Sequence, residues 1–300
     1  MARRRRACDH RMPPLKMRTI ILGKSPRVLG EARPEANTLP FLKWAGGKRW
    51  LTGLVAPLPV FEGTGTYYEP FLGSGAMYFH WQPATAVLSD TNAALVETYS
   101  AIKQDYARVT LHLGRHAALH DEEYYYSLRS KVCRNEFTRA AKFIYLNRTC
   151  WNGLYRVNRQ GVFNVPKGSK DAVELDTDDF ASVAKTLQRA TIVRSDFEVQ
   201  IEKAVAGDVV FADPPYTVRH QHNGFVKYNE ELFNWDDQIR LRDSLLRAKK
   251  RGVLVLLTNA DHESIRDLYS PEFQIDEIAR FSAISSSAST RGNYAELLIT

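Results

Sequence analysis

The chain has 300 residues, of which 44% are hydrophobic and 25% charged, and these proportions are typical of a globular protein. Its longest apolar run, near residues 253–257, is far shorter than the roughly 20 residues that cross a membrane, so no membrane segment is predicted. Three cysteines, Cys8, Cys133 and Cys150, lack paired spacing, which argues against a disulfide framework or a zinc site and indicates a reducing compartment.

The net charge of +7 comes from the N-terminal segment. Residues 1–39 hold ten Lys or Arg and three Asp or Glu, so the remaining 31 basic and 31 acidic side chains balance. This segment lacks a sustained hydrophobic period, and we predict a basic disordered tail over 1–39, with a misassigned start codon as the alternative. Its arginines are not followed by an apolar segment, which disfavours a secretory signal.

From residue 41 onward, short apolar strands alternate with helical periods. This alternation predicts an α/β protein with a largely parallel sheet. The last two apolar stretches are joined by a serine-rich loop and predict a hairpin, so we expect the sheet to close with an antiparallel strand. The predicted strands span 66–71, 85–90, 191–197, 208–216, 252–259, 273–281 and 294–300, and the predicted helical segments span 76–81, 92–129, 200–206 and 235–250.

A basic and aromatic stretch interrupts this alternation between about residues 100 and 190. Within it, residues 129–170 hold ten Lys or Arg and a single acid, Glu136, interleaved with Phe, Tyr and Trp. A solvated helix face usually mixes both signs of charge, whereas one sign with aromatic residues is typical of a surface for phosphates and bases. We therefore predict an inserted second domain.

The glycine turn after the first strand, in "EPFLGSG", has the composition of a nucleoside-cofactor site. Gly73 and Gly75 would let the backbone approach a ligand, and Asp90, at the end of the next strand, could accept hydrogen bonds from a ribose diol. A plain tight turn is the structural alternative. Tyr78 stands where a dinucleotide fingerprint needs another glycine, which counts against a nicotinamide oxidoreductase.

The stretch "FLKWAGGKRW" at 41–50 contains a Gly-Lys pair but does not form a phosphate loop. That motif needs glycine and Ser or Thr where this chain has Leu42 and Arg49. The glycine pair instead allows close backbone approach. Trp44 offers a flat apolar face, and Lys48 could pair with a carboxylate.

The most specific motif is "DPPY", Asp213 to Tyr216, at the end of an apolar strand. A rigid turn with a purely structural role is the alternative interpretation. The chemistry that favours these residues is alkylation of an exocyclic amine, whose lone pair is delocalised into its ring. Asp213 and the Pro214 carbonyl could accept its two N–H groups, with Pro215 adding rigidity, while Tyr216 supplies a ring on which an extruded base stacks.

Five motifs in one order give the chain its family resemblance. Together they resemble the Dam-type, alpha-class N6-adenine-specific DNA methyltransferases, and residues 145–168 are similar to that family's DNA-recognition region. The likeness covers roughly residues 40–300. The motifs are "KWAGGK", "EPFLGSG", "LSD", "RSDF" and "DPPY".

The resemblance implies a Rossmann-like S-adenosylmethionine-dependent methyltransferase sheet, mostly parallel with an antiparallel C-terminal strand. It also implies that the catalytic domain spans 40–98 and 190–300, and that an inserted, mainly helical target-recognition domain spans 99–189. Asp213 to Tyr216 would hold the target adenine, and Asp213 would also border the cofactor. The implied cofactor contacts are Trp44, Lys48, Phe71, Gly73, Gly75, Asp90, Asp196 and Phe197, with Asp90 on the ribose and Asp196 and Phe197 flanking the adenine.

The implied DNA contacts lie in the basic aromatic stretch. Asn152, Leu154, Arg156 and Pro166 fall where the family reads bases, and Trp151 falls where a family aromatic inserts beside the flipped site. Arg148 and Asn158 would touch the backbone, and Lys170 is a further DNA contact. From the residues alone, Arg156 could read guanine, and Leu154 or Pro166 could meet a thymine methyl group. GATC is the expected target, although Ser169 and Lys170 depart from the family pattern.

We therefore predict methyl transfer from S-adenosylmethionine to adenine N6 of double-stranded DNA, by base flipping and direct displacement. N4-cytosine or RNA base methylation, and a catalytically dead DNA-binding module, are the alternatives. No metal is expected: His112, His116 and His120 repeat at helical spacing, but they are predicted to form a solvated or phosphate-facing surface. The expected setting is the cytoplasm of a prokaryote, or a phage, with the protein at the nucleoid as a monomer. A cognate restriction endonuclease is a candidate functional partner without physical contact.

Overall fold

The computed structural model describes most of the chain from residue 38 onward. The predicted basic tail over 1–39 lies almost wholly outside the described residues, as does the loop between the last two strands. The described residues are 38–55, 65–158, 160–218, 233–281 and 293–300.

Seven strands form one sheet in the spatial order β3-β2-β1-β4-β5-β7-β6. The first five strands pair in parallel, and β7 lies antiparallel between β5 and β6. The predicted α/β class is therefore confirmed, including the mostly parallel sheet and its antiparallel C-terminal hairpin. The strands are β1 (Tyr67–Glu69), β2 (Ala86–Asp90), β3 (Ala190–Arg194), β4 (Val209–Ala212), β5 (Leu254–Ala260), β6 (Ile275–Phe281) and β7 (Asn293–Ile299).

The described part of the chain has eight α-helices. Most are preceded by an Asn or Asp whose side chain accepts a backbone N–H of the first turn, which stabilises the helix start. They are α1 (Ala76–Trp81), α2 (Ala93–Ala118), α3 (Glu122–Ser130), α4 (Glu136–Thr149), α5 (Phe180–Leu187), α6 (Phe197–Ile201), α7 (Trp235–Lys250) and α8 (Glu263–Tyr269).

Capping residues explain two departures from the predicted elements. The predicted helix over 92–129 is two helices, because Asp121 accepts the backbone N–H of Tyr124 and starts α3. The predicted strand ending at 197 stops earlier, because Asp196 accepts the backbone N–H of Glu198 and caps α6. In both places a strong N-cap overrides the continuous apolar pattern.

The sheet is buried on both faces. Along β4, Val209 and Phe211 join the apolar core on one face, while Val210 and Ala212 join the core on the other. Alternation of side chains along a strand gives this division, and burial on both faces is typical of a parallel sheet covered by helices.

The helical insert continues from the sheet core. Ile144 on α4 belongs to the same apolar cluster as Phe211 of the sheet, and α4 packs on α2, which in turn contacts β2 and β3, so the core of the insert is continuous with the core on one sheet face. The predicted domain boundary between 98 and 99 falls inside α2, which runs through it and carries one non-helical residue, Asp105. The division into two domains stays a prediction.

None of the helices in the described ranges is both long and apolar enough to cross a membrane.

Strand order defines where a ligand can bind. From β1 the chain moves outward through β2 and β3, and then β4 returns to the other side of β1 before β5 continues outward. In parallel α/β sheets a crevice opens at the carboxyl ends of the strands where the order reverses. Here that point is the carboxyl end of β1 and β4.

Candidate active site

Four acidic residues lie at the carboxyl ends of the four adjacent strands around this crevice. Asp196 follows β3, Asp90 ends β2, Glu69 ends β1 and Asp213 follows β4. Because these strands are parallel, their carboxyl ends meet at one edge of the sheet. The sheet thereby brings together three residues that the sequence places at the site, Asp90, Asp196 and Asp213, and adds Glu69, which is not among the predicted site residues.

The two glycine-containing segments predicted to line the cofactor pocket lie against each other. A Cβ on Gly47 would stand 3.3 Å from Ser74 Oγ, and a Cβ on Gly73 would stand 2.8 Å from Trp44 Cδ1. Gly73 and Gly75 both have positive φ, of 46° and 64°. A side chain at Gly73 would displace the Trp44 indole and strain the backbone, so this turn needs glycine.

Asp90 is held at the tip of β2 by backbone donors. Its carboxylate accepts the N–H of Gly73 at 3.3 Å and the N–H of Asn92 at 2.9 Å. Burial raises its pKa, and these backbone N–H groups oppose the shift. The carboxylate therefore ties the glycine turn to the next strand.

Beside it, Asp196 and Phe197 form a charged and aromatic corner. Phe197 stacks on Phe71 with ring centroids 5.3 Å apart. The Arg240 guanidinium donates to both carboxylate oxygens of Asp196, at 2.8 and 3.0 Å, and lies 4.2 Å from the centroid of the Phe197 ring. The structure thus brings the predicted adenine-flanking residues together and adds Arg240.

Asp213 uses one carboxylate oxygen for its contacts with the protein. Lys48 Nζ lies 2.8 Å from Oδ1, and Thr258 Oγ1 donates to the same atom at 2.7 Å. Among the described residues, Oδ2 has no hydrogen-bond partner. Burial raises the pKa of Asp213, while Lys48 and Thr258 oppose the shift. The side chain is 18% exposed, so Oδ2 is an acceptor that a ligand can reach.

Lys48 and Tyr216 both contact a further carboxylate, that of Glu296 on β7. Tyr216 donates its phenol O–H to Glu296 Oε2 at 2.6 Å, and Lys48 Nζ lies 3.6 Å from the same oxygen. The ammonium also donates to the Gly46 carbonyl and lies 4.9 Å from the Tyr216 ring centroid. The pairing of Lys48 with a carboxylate, predicted from the sequence, is confirmed by the ion pair with Asp213.

The predicted recognition region folds as a loop closed by two backbone bridges. Cys150 pairs with Lys167, and Val157 pairs with Phe163, both antiparallel. The Asn158 side-chain oxygen accepts N–H groups of the turn that follows it. The region is therefore a compact β-like loop rather than an open segment.

Most of the predicted DNA contacts are exposed on this loop. Leu154 is half-buried against the core, and Arg156 donates from Nε to Asn164 Oδ1 at 3.0 Å. Trp151 is 54% exposed and donates its backbone N–H to the Pro166 carbonyl. The exposed members are Trp151, Asn152, Arg156, Asn158, Pro166 and Lys170.

The loop packs directly on the segment that carries Lys48. Asn147 accepts the Lys43 N–H at 2.9 Å and donates to the Lys43 carbonyl at 2.6 Å. Trp44 stacks on Tyr155 with ring centroids 5.9 Å apart, and a Cβ on Gly153 would stand 3.0 Å from Lys43 Cβ. The recognition loop and the crevice are therefore neighbours joined through the segment around Trp44.

A family model and several characterised proteins are similar to this chain. The model described as D12 class N6 adenine-specific DNA methyltransferase matches residues 44–284. The chain is 34% identical to type II methyltransferase M1.LlaDCHI of Lactococcus lactis subsp. cremoris, over 88% of this chain and 95% of that protein. It is 37% identical to type II methyltransferase M.MjaIII of Methanocaldococcus jannaschii, over 74% of this chain and 84% of that protein.

A third relative is the DNA adenine methylase of Vibrio cholerae, which is 30% identical over 86% of this chain and 94% of that protein. The chain belongs to the D12 class of N6 adenine-specific DNA methyltransferases. It is an adenine-specific DNA methyltransferase, as the motifs predicted, and adenine is favoured over the cytosine alternative.

One predicted DNA contact of this methyltransferase is wrong. Arg148 is buried inside the insert, where its guanidinium pairs with both oxygens of Asp178 and donates to the carbonyls of Phe41 and Val173. Its charge is already matched and its side chain is 0% exposed, so it cannot reach a phosphate. Arg148 fixes the base of the recognition loop instead.

The prediction of a solvated histidine face is also wrong for two of its three members. Nδ1 of His116 shares a 2.7 Å hydrogen bond with the Tyr124 hydroxyl. Nδ1 of His120 shares one of the same length with the Tyr145 hydroxyl. Burial lowers the pKa of His116 to about 4, so its ring is neutral at physiological pH. In the described ranges, no group of His, Cys, Asp and Glu side chains could hold a metal ion.

Four residues of the site were not identified from the sequence. Glu69 belongs to the motif EPFLGSG, and the signal that could have found it is a carboxylate just ahead of the glycine turn, because the predicted strand runs past it to residue 71. Thr258 and Arg240 had no such signal, because their partners are distant in sequence. Glu296 stands in the last strand, 80 residues after Tyr216, and only the antiparallel register brings it to the site.

Proposed function

We propose that this enzyme transfers a methyl group from S-adenosylmethionine directly to N6 of an adenine flipped out of double-stranded DNA, within GATC. The observation that carries the proposal is Asp213 at the switch point of the sheet, with Oδ1 paired and Oδ2 open among the described residues. The chain acts as a monomer in this proposal, since one crevice and one recognition loop suffice.

The residues around the glycine turn fit S-adenosylmethionine. A site for its ribose needs an acceptor, which Asp90 supplies, and its adenine needs flat apolar neighbours with a polar partner, which Phe71, Phe197 and Asp196 supply. Gly73 lets the Trp44 indole pack closely against this turn, because a Cβ there would stand 2.8 Å from Trp44 Cδ1. When bound, S-adenosylmethionine supplies an electrophilic methyl group on a sulfonium sulfur.

The DPPY turn addresses the weakness of the amino group as a nucleophile. Asp213 Oδ2 accepts one N–H of the target amino group, and the Pro214 carbonyl accepts the other. As the nitrogen becomes tetrahedral, it gains positive charge, which two fixed acceptors stabilise until the nitrogen releases one of its protons to solvent. Pro215 rigidifies the turn. Tyr216 supplies a ring against which the flipped base stacks.

The exposed loop reads the DNA around the flipped base. Arg156 presents its donor fork to guanine, and Pro166 and the edge of Leu154 meet a thymine methyl group. Trp151 inserts beside the flipped site, Asn152 reads a base edge, and Asn158 and Lys170 contact phosphates. The packing of this loop on the Trp44 segment supports a coupling between recognition and cofactor binding.

Replacement of Asp213 tests the chemistry. Asp213→Ala removes the acceptor, and we expect methyl transfer to unmethylated genomic DNA to be lost while duplex affinity, measured by fluorescence anisotropy, stays near wild type. Asp261→Ala is the matched control: Asp261 follows β5 at the same sheet edge but pairs with Arg266. Retained activity in Asp213→Ala would refute the assigned role.

Sequencing of DNA from cells that express the protein tests the target, with a method that detects modified adenine. We expect N6-methyladenine in GATC, and the Asp213→Ala protein should leave it unmodified. Modified adenine in another sequence would overturn the GATC assignment and leave the chemistry intact.

A further inference from the structure

Glu296 is a buried carboxylate that the chemistry above does not use. It stands on β7 and is 7% exposed, and its Oε2 receives the Tyr216 hydroxyl at 2.6 Å. Lys48 Nζ lies 3.6 Å from the same oxygen and 2.8 Å from Asp213. One ammonium therefore faces two carboxylates in a confined space.

This arrangement is costly for folding alone. A buried carboxylate loses its hydration, and Lys48 already has Asp213 as a closer partner. A second carboxylate within reach of the same ammonium adds repulsion toward Asp213. An apolar residue of similar size would carry neither of these two costs, but it would remove the acceptor of the Tyr216 hydroxyl.

The arrangement has a clear effect on Asp213. An ammonium shared between two carboxylates neutralises neither of them completely, so the oxygen of Asp213 that faces the crevice keeps its negative potential. The same Glu296 oxygen fixes the Tyr216 hydroxyl, and with it the plane of the ring that closes the DPPY turn.

We propose that Glu296 is a positioning residue of the methyl-transfer site, which holds Lys48 and Tyr216 in place and keeps Asp213 a strong hydrogen-bond acceptor. The proposal rests on the proposed function, since it assigns Asp213 the target amino group. Glu296 acts through its neighbours and does not touch the base.

Glu296→Gln separates charge from shape. The amide oxygen can still accept the Tyr216 hydroxyl, but the side chain no longer attracts Lys48, which then pairs with Asp213 alone. Asp213 becomes a weaker acceptor, and we expect the single-turnover rate of methyl transfer to fall on the order of 10- to 100-fold. Affinity for S-adenosylmethionine and for the duplex should change little.

The experiment uses the full chain, S-adenosylmethionine with a tritiated methyl group and unmethylated genomic DNA, with enzyme in excess. Glu277→Gln is the matched control, because Glu277 stands on the neighbouring strand β6, is 63% exposed and pairs with Arg266 away from the crevice. Thermal unfolding checks that the Glu296→Gln protein folds. Glu296→Asp restores the charge, and its rate should exceed that of Glu296→Gln even if both proteins lose stability.

The dependence of the rate on pH provides a readout that a purely structural role would not change. Among the described residues, the charged and titratable groups facing Asp213 are Lys48, Glu296, Tyr216 and Glu69. Glu296 raises the pKa of Asp213, so its removal lowers that pKa, and the acid limb of the Glu296→Gln profile should move to lower pH.

The outcomes distinguish this proposal from the proposed function. A slow Glu296→Gln enzyme with normal ligand affinities, a shifted acid limb and partial rescue by Glu296→Asp supports it. A Glu296→Gln rate within about threefold of wild type, or an unshifted profile, overturns it. If Glu296→Gln behaves like wild type while Asp213→Ala is inactive in the same assay, only the role of Glu296 is refuted. If Asp213→Ala is active, the proposed function fails first.

Discussion

Arg148 and Asp178 form a bidentate ion pair inside the helical insert, with each terminal guanidinium nitrogen 2.6 Å from a carboxylate oxygen. Arg148 also donates to the Phe41 carbonyl, so it joins α4 to the segment that leads into Trp44 and Lys48. The pair therefore supports both the recognition loop and the wall of the crevice.

We expect Arg148→Ala to destabilise the protein strongly, because it leaves the Asp178 charge without its partner in a mostly buried place. Loss of one partner of a buried pair costs about 3–5 kcal/mol. Arg139→Ala on the same helix breaks a pair with Glu97 that is partly exposed, at 40% and 33% of the two side chains, and should cost about 1 kcal/mol or less. Denaturant unfolding measures both, and equal losses would contradict the assignment of Arg148 to the interior.

Local sequence signals account for most of the fold and for one side of the site. Strand ends are visible where an apolar run meets an acid or a glycine turn, and this rule locates Asp90 and Asp213, whereas Asp196 is located only by the family resemblance. The parallel order of β1 to β5 then puts these residues at one edge. The site residues that can be predicted from the sequence are therefore those marked by the strand that carries them.

Long-range pairing accounts for what the sequence did not reveal. Arg148 lies in a basic, aromatic stretch and resembles a DNA contact, yet its partner is 30 residues away and turns it inward. Glu296 lies in an ordinary apolar strand, and the register between β5 and β7 carries it to Tyr216. Neither contact leaves a periodic trace, because each depends on packing between separate elements.

Gly73→Ala should weaken binding of S-adenosylmethionine. The left-handed backbone at Gly73 costs an L-residue roughly 1–2 kcal/mol, and the added Cβ would push the Trp44 indole from its place. A loss of about 1.4 kcal/mol in binding corresponds to a tenfold weaker affinity, measurable by calorimetry.

Gly207→Ala is the control for Gly73→Ala, since its φ is also positive but a Cβ there meets nothing within 4 Å. We expect it to lower stability by a similar backbone cost and to leave affinity for the cofactor unchanged. Equal affinities in the two variants would mean that the space beside Trp44 plays no part in cofactor binding.

Glu69 should make the stability of the protein depend on pH above the usual carboxyl range. Burial raises its pKa from 4.5 to about 8. The charge of Asp213 adds to this rise, and the hydrogen bond from the Tyr67 hydroxyl opposes it. Between these two pKa values the unfolded state has lost the proton and the folded state keeps it, so the free energy of unfolding falls as pH rises.

Glu69→Gln removes this titration while keeping an oxygen for the Tyr67 hydroxyl and the Tyr78 N–H. We expect the stability of the variant relative to wild type to grow between about pH 4.5 and 8 and then level off. Urea unfolding across that range measures the difference, in which the other titrating groups cancel. A constant difference would show that Glu69 is ionised in the folded protein.

Arg156→Ala should relax sequence specificity at one base pair. Its guanidinium is exposed on the recognition loop and oriented by Asn164, so it is ready to offer two parallel donors to one guanine. Its loss should cost about 1–3 kcal/mol of binding free energy on the cognate duplex and little on a duplex altered at that base pair.

Lys170→Ala is the comparison variant, because a lysine carries a charge but no planar fork of donors. It should weaken binding to both duplexes equally and reduce the salt dependence of binding by about one unit of slope. Anisotropy titrations at several salt concentrations separate the two effects, and a uniform loss in Arg156→Ala would reassign Arg156 to the phosphate backbone.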